Sequence, residues 1–62
     1  MITIEEQLAE VQREIGMRYA VYSRRVESGK MTQADADHKI EIMKAVRDGL
    51  LAQSIMKSGL NE

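Results

Sequence analysis

The stretch Glu27-Ser28-Gly29-Lys30-Met31-Thr32-Gln33-Ala34-Asp35 decides the fold, because it contains a helix stop followed directly by a helix start. Gly29 can adopt the left-handed conformation that closes a helix C-terminus. Thr32 can then cap a new helix by accepting a hydrogen bond from the backbone N–H of Asp35. A break of about three or four residues between helices is typical of antiparallel neighbours. The sequence therefore predicts an all-α protein, an antiparallel two-helix hairpin.

Upstream of the turn, apolar residues form a single stripe along the first helix. Thr3 and Glu6 have the spacing of a capping box, which places the start of the helix at Ile4. The stripe then repeats every three or four residues, at Ile4, Leu8, Val11, Ile15, Tyr19, Tyr22 and Val26. This spacing is typical of one buried helix face. We expect both tyrosines to bury their rings there and to keep their hydroxyls at the edge.

Downstream of the turn, a second apolar stripe matches the first one in register. Folding the chain at the turn pairs Val26 with Ala36, Tyr22 with Ile40, Tyr19 with Met43, Ile15 with Val46 and Val11 with Leu50. The sequence predicts a single helical-hairpin domain over residues 1–62. Its helix 1 spans about 4–28, its turn 29–32, its helix 2 about 33–57 and its short tail 58–62.

Helix 2 carries more apolar surface than helix 1 can cover. Ile42, Ala45, Gly49 and Met56 lie well round from the face that meets helix 1. A hairpin of this size has a marginal core, so we expect two copies to dimerise into a four-helix bundle. The candidate interface residues are Met17, Val21, Ile42, Gly49 and Met56. Gly49 is read either as a point of close helix approach or as a tolerated surface glycine, whereas tolerance is favoured for Gly16.

The composition argues against catalysis and against a stapled fold. The chain has no cysteine and one histidine, His38, which excludes a disulfide framework and a His/Cys zinc site. Asp35, Asp37 and His38 are close in sequence, but Asp37 points away from the other two on a helix. We read them as a solvated surface. With no nucleophile beside a base and no phosphate-binding loop, the sequence predicts neither an enzyme nor a cofactor or metal site.

Charge is uneven along helix 1, although the net charge is only −1. The helix begins with Glu5 and Glu6, whereas residues 18–30, which include the start of the turn, carry a candidate basic patch formed by Arg18, Arg24, Arg25 and Lys30. The helix dipole favours this polarity, and contact with nucleic acid is the alternative explanation. The chain has no apolar run long enough for a membrane span, and residues 1–6 lack the pattern of a signal peptide. We expect no membrane partner and a cytoplasmic location.

Residues 13–50 also carry a family resemblance. Its features are Arg18, Val21-Tyr22, the run Gly29-Lys30-Met31-Thr32-Gln33-Ala34, Ala36, Ile40 and Met43. In these the chain resembles a family of short uncharacterised helical-hairpin proteins encoded by bacteriophages and prophages of proteobacteria. The resemblance implies an accessory protein of the early or lytic phage programme, located in the cytoplasm of the bacterial host. It implies no catalytic residues.

Two functions are consistent with these patterns. The leading hypothesis is a non-catalytic protein-interaction module, homodimeric, that binds and modulates a host or phage protein. It is motivated by the surplus apolar surface of helix 2 in a chain without catalytic groups. The alternative is a small nucleic-acid-binding regulator that uses the basic end of helix 1.

Overall fold

A computed structural model describes the backbone of residues 1–60 and the side chains of residues 1–56. It contains two α-helices, α1 (Ile4–Glu27) and α2 (Gln33–Leu60), and no strand among the described residues. The helices contact each other along a hairpin, which confirms the all-helical prediction. The molecule is elongated, with principal extents of 51 × 20 × 12 Å.

Hydrogen bonds accepted by two threonine hydroxyls mark the starts of the helices. The Thr3 hydroxyl oxygen accepts from the backbone N–H of Glu6 at 3.1 Å, and the Thr32 hydroxyl accepts from the N–H of Asp35 at 3.1 Å. The capping box differs from the predicted one in a single contact. The Glu6 carboxylate accepts from the Thr3 hydroxyl at 3.4 Å instead of reaching the Thr3 backbone N–H.

The turn is closed by backbone hydrogen bonds around a left-handed glycine. Gly29 has φ +76°, and no other residue that the structure describes has a positive φ. The N–H of Gly29 donates to the carbonyl of Val26 at 3.1 Å, and the N–H of Lys30 donates to the carbonyl of Arg25 at 2.9 Å. These are the two bonds of a Schellman motif, which satisfies carbonyls that the end of α1 leaves free.

The second helix is longer than predicted. It continues to Leu60, whereas the sequence placed its end at about residue 57 and a tail at 58–62. The predicted stop depended on Gly59, and a glycine is tolerated inside a helix at a cost of about 1 kcal/mol, whereas a proline would break the helix. Of the predicted tail, Asn61 and Glu62 lie outside the described residues.

The core of the hairpin is small. Among the described residues, the buried side chains are Ile15, Ala36 and Ile40, near the closed end and the middle of the hairpin. Other stripe residues of α1 are half-buried, namely Ile4, Leu8, Val11, Tyr22 and Val26. A hairpin with so few buried residues gains little from apolar burial within one chain.

Two details of the predicted core were wrong. Tyr19 is 47% exposed, because its position is turned towards one edge of the stripe, where the ammonium of Lys44 lies 5.9 Å from its ring centroid. Val46, the predicted partner of Ile15, is 46% exposed. The half-buried positions of α2 instead include Lys44 and Arg47, whose long aliphatic stems can cover apolar surface while their charged ends stay in water.

Candidate interaction surface on the second helix

The second helix has apolar residues on two opposite sides. One side faces α1 and contains Ala36 and Ile40. The other side, which we call the outer stripe, consists of Ile42, Ala45, Val46, Gly49, Ala52 and Met56. Apart from Val46, which lies beside Ala45 at the edge of the stripe, its members recur at intervals of three and four residues, so they share one face of the helix. The outer stripe is displaced from the α1-facing side by about half a helical turn, which is why α1 cannot cover it.

The outer stripe is exposed to solvent throughout its length. Ile42 is 51% exposed and Met56 67%, whereas Ile40, two residues from Ile42, is only 5% exposed. Ala45, Gly49 and Ala52 are also exposed. The surplus apolar surface that the sequence predicted on helix 2 is therefore present in the folded hairpin. A continuous apolar surface of this kind is typical of a site of protein interaction.

Gly49 lies in the middle of the outer stripe and is unconstrained by its own chain. A Cβ atom built at Gly49 would meet no neighbouring heavy atom within 4 Å, and the same is true at Gly16. Close approach of α1 therefore does not explain the glycine at position 49. The outward side of Gly49 is open, so a second helix could approach the backbone closely there.

The two candidate interface residues of α1 lie elsewhere. Met17 is half-exposed, and its sulfur accepts a hydrogen bond from the Arg13 guanidinium at 3.0 Å. Val21 lies beside the basic residues at the C-terminal end of α1, where it lines a shallow depression with Arg24 and Lys30. The five predicted interface residues thus form one continuous group on α2, Ile42, Gly49 and Met56, and a separate pair on α1.

Three positions of this surface are additional to the predicted interface residues. Val46, Ala45 and Ala52 fill the gaps between Ile42, Gly49 and Met56. The signal that identifies Ala45 and Ala52 is the alternation of three and four residues from Ile42 to Met56, which is the seam spacing of a coiled coil. The sequence pattern identified Ala45 as surplus apolar surface but not Ala52, and without Ala52 the repeat is incomplete.

A groove adjoins the outer stripe at the open end of the hairpin. Its volume is about 740 Å³ and it is widely open to solvent. Ile2 and Val11 line it from the N-terminal part of the chain, and Val46 and Leu50 line it from α2. Because Val46 belongs to both, the groove extends the apolar surface of α2 towards α1. It does not enclose a small molecule as a typical ligand pocket does.

The predicted basic patch separates into one engaged arginine and three cations near the turn. The Nε of Arg18 donates to the Glu14 carboxylate at 2.8 Å, and its Nη1 donates to the Tyr22 hydroxyl at 3.4 Å. The hydrogen bond that Arg18 donates to Glu14 is the main reason that the pKa of Arg18 is raised. Arg18 is therefore held along α1 by its neighbours.

Arg24, Arg25 and Lys30 make up the rest of the patch. They line the depression that also includes Val21 and Ser28. None of the three has an acidic partner within 4.0 Å in the described part of the chain. The carbonyls at the C-terminal end of α1 carry partial negative charge, which accounts for basic residues at this place.

The acidic residues near the start of α2 have ordinary helix-terminal roles. Asp37 accepts a hydrogen bond from the Gln33 side chain at 2.9 Å, and the backbone of Asp35 is bound by Thr32. Within the described residues, no three histidine, cysteine or acidic side chains are placed to hold a metal ion together. His38 lies on the exposed side of α2.

Neither described helix contains a stretch of eighteen residues apolar enough to cross a membrane. Comparisons of the chain with protein-family models, with curated proteins and with solved structures found no match.

Proposed function

We propose that this chain is a non-catalytic protein-interaction module that acts as a homodimer and binds and modulates another protein. The observation that carries the proposal is the outer stripe of α2, an exposed apolar face with no counterpart inside the hairpin. Burial of apolar surface stabilises a protein by about 25 cal/mol per Å², and only three of the side chains that the structure describes are buried within the hairpin. Association would bury further apolar surface and so add stability that the small core of one hairpin does not provide.

The resemblance of residues 13–50 to short phage and prophage proteins indicates the class of protein to be bound. An accessory protein of that family would act in the cytoplasm of its bacterial host, so we propose a phage or host protein as the partner. The shape of the molecule suits this role. A rod with extents of 51 × 20 × 12 Å presents a long surface for its size and encloses little volume. Binding, in this proposal, takes place without chemistry on the bound protein.

Light scattering of the purified chain across a hundredfold range of concentration tests the homodimer. We expect the mass of a dimer that dissociates on dilution, and a monomer for Ile42→Asp, because a buried carboxylate in an apolar interface is costly. Ala20→Asp is the matched control, since Ala20 is exposed on the side of α1 away from the apolar stripe. A monomeric wild-type chain at every concentration would overturn the homodimer.

A pull-down from the bacterial host tests the second part of the proposal. A specific protein should be retained by the wild-type chain and by Ala20→Asp, and lost with Ile42→Asp if it recognises the dimer. Its binding should also change a measured activity of the captured protein. Retention of no protein above the level of an unrelated helical hairpin would contradict the binding role.

A nucleic-acid-binding regulator is the second candidate, and the observation in its favour is the cluster of Arg24, Arg25 and Lys30 near the turn. Phosphate contacts by three cations should give binding that weakens steeply with salt. Fluorescence anisotropy with duplex and single-stranded DNA at low salt tests it. Replacing all three residues by glutamine should abolish binding, and absence of binding by the wild type at low salt would exclude this function.

A further inference from the structure

We propose that the outer stripe is covered by the same stripe of a second copy, with the two α2 helices antiparallel and closest at Ala45 and Gly49. This inference rests on the proposed function, because it specifies the arrangement of the homodimer. A second copy of the chain then occupies the outer stripe, and Ala45 of one chain lies beside Gly49 of the other.

The accessible surface of the chain supports a second copy. The hairpin exposes 4844 Å². A monomeric protein of the same mass, 7.0 kDa, is expected to expose only about 4,000 Å². The excess is close to the area of about 800 Å² that each partner contributes to a standard interface. A second hairpin packed along α2 would bring the exposed area of each copy to the value expected for a folded domain.

The residues of the outer stripe have the spacing of a helix–helix seam. From Ile42 the stripe continues to Ala45, Gly49, Ala52 and Met56, in steps of three, four, three and four. Such a repeat keeps one line of contact on a partner helix. The three central residues are small, so the two helix backbones can approach closely at the middle of the seam. Nothing in the hairpin itself occupies the space outside Gly49.

The pattern of large and small residues favours the antiparallel arrangement. With Ala45 beside the partner's Gly49, Ile42 lies beside the partner's Ala52, so a large side chain meets a small one. In a parallel pair each residue would meet its own copy. Two isoleucines would then face each other at one level while glycines and alanines faced each other at the next levels, which would leave gaps or strain at the seam.

The charges near the start of α2 also favour the antiparallel arrangement. Asp35 and Asp37 lie in the first turns of α2, and Asp35 is on the side of the outer stripe. A parallel pair would place the Asp35 carboxylate beside its copy, at a cost in free energy. An antiparallel pair separates the two Asp35 carboxylates and also aligns the two helix dipoles favourably. The turns, each with its Arg24, Arg25 and Lys30, would then lie at opposite ends of the dimer.

Cysteine crosslinking tests the arrangement, since the native chain has no cysteine. In the antiparallel pair Ile42 lies beside the partner's Ala52, within reach of a disulfide. Two copies of Ile42 are then offset by ten residues, about 15 Å along the helix, which is too far. We therefore expect oxidation to crosslink a refolded mixture of Ile42→Cys and Ala52→Cys, and to give only background crosslinking with Ile42→Cys alone. Ala20→Cys, on the far side of α1, sets that background.

Light scattering of the same reduced variants distinguishes failure of this arrangement from failure of the proposed function. Efficient crosslinking of Ile42→Cys with itself would overturn the antiparallel arrangement in favour of a parallel one. A dimer mass without crosslinking in the mixed sample would overturn the register that places Ala45 beside the partner's Gly49 and leave the dimer intact. A monomer mass for the wild type and for every variant would overturn both.

Discussion

The backbone N–H of Lys30 donates to the carbonyl of Arg25 at 2.9 Å, and this bond reverses the chain between the two helices. The bond requires Gly29 to adopt φ +76°, a conformation in which an L side chain is strained. All later contacts between α1 and α2 depend on this reversal, since they join residues far apart in sequence. A backbone effect at one glycine should therefore be visible in the stability of the whole hairpin.

Gly29→Ala should lower the free energy of unfolding by about 1 kcal/mol, the cost of a left-handed non-glycine residue. Gly16→Ala is the matched control. It lies inside α1 with open space around its Cβ position, so it should raise the free energy of unfolding by about 0.5–1 kcal/mol through helix propensity. Urea denaturation followed by circular dichroism measures both. Equal effects of the two substitutions would contradict the role assigned to Gly29.

Ile40→Ala and Ile42→Ala make the same change on opposite sides of α2. Ile40 is 5% exposed and Ile42 51%, so the first should cost about 2–4 kcal/mol in free energy of unfolding and the second clearly less. The comparison is made by urea denaturation at a protein concentration at which the chain is monomeric. At higher concentration the cost of Ile42→Ala should grow, because dimer formation buries Ile42. A cost that does not depend on concentration would argue against burial of Ile42 on association.

Acidification tests the pair formed by Glu10 and Arg13. The hydrogen bond from Arg13, together with its charge, lowers the pKa of Glu10 below the ordinary glutamate value. A lowered pKa in the folded state means that the pair stabilises the fold above the unfolded-state pKa, and that this contribution is lost as the pH falls through the folded-state pKa. Both side chains are exposed, so the contribution is small. An NMR titration of the Glu10 carboxyl carbon should show the lowered pKa, and Arg13→Gln should return it towards the ordinary value. An identical titration in both chains would contradict the ion pair.

Local signals made the hairpin predictable. Thr3, Thr32 and Gly29 act through hydrogen bonds or backbone conformation within a few residues, so sequence alone identifies their roles. The packing of α2 was less predictable. Lys44 and Arg47 are half-buried at positions of α2 where apolar residues are expected, because their aliphatic stems can cover apolar surface. Hydropathy does not reveal which part of such a long side chain is buried.

The outer stripe was predictable only in part, for a related reason. Ile42 and Met56 were identified because large apolar residues off the main face are conspicuous. Ala52 was missed because a small side chain contributes little to hydropathy. The same small side chain matters in an interface because it allows two helices to approach closely. The identity of a bound protein depends on a surface outside this chain, so the residues of the hairpin do not specify it.

Gly49→Ala separates the stability of the helix from the closeness of the dimer. In the monomer the substitution should raise the free energy of unfolding by about 0.5–1 kcal/mol, because the added methyl group meets no atom of the hairpin and alanine favours helix. In the dimer the same methyl group would enter the space that the partner's Ala45 occupies. Overpacking of a close contact costs about 1–3 kcal/mol, so the dissociation constant should rise by about tenfold or more.

Analytical ultracentrifugation measures the dissociation constant, and circular dichroism measures the stability of the monomer. Gly16→Ala is the control for helix propensity alone. It should stabilise the monomer to a similar extent and leave the dissociation constant unchanged, since Gly16 is on α1 and outside the outer stripe. A dimer as strong with Gly49→Ala as with the wild type would show that the two backbones do not approach closely at Gly49. That result would move the centre of the interface along α2 towards Ile42 or Met56, since both remain exposed in the hairpin.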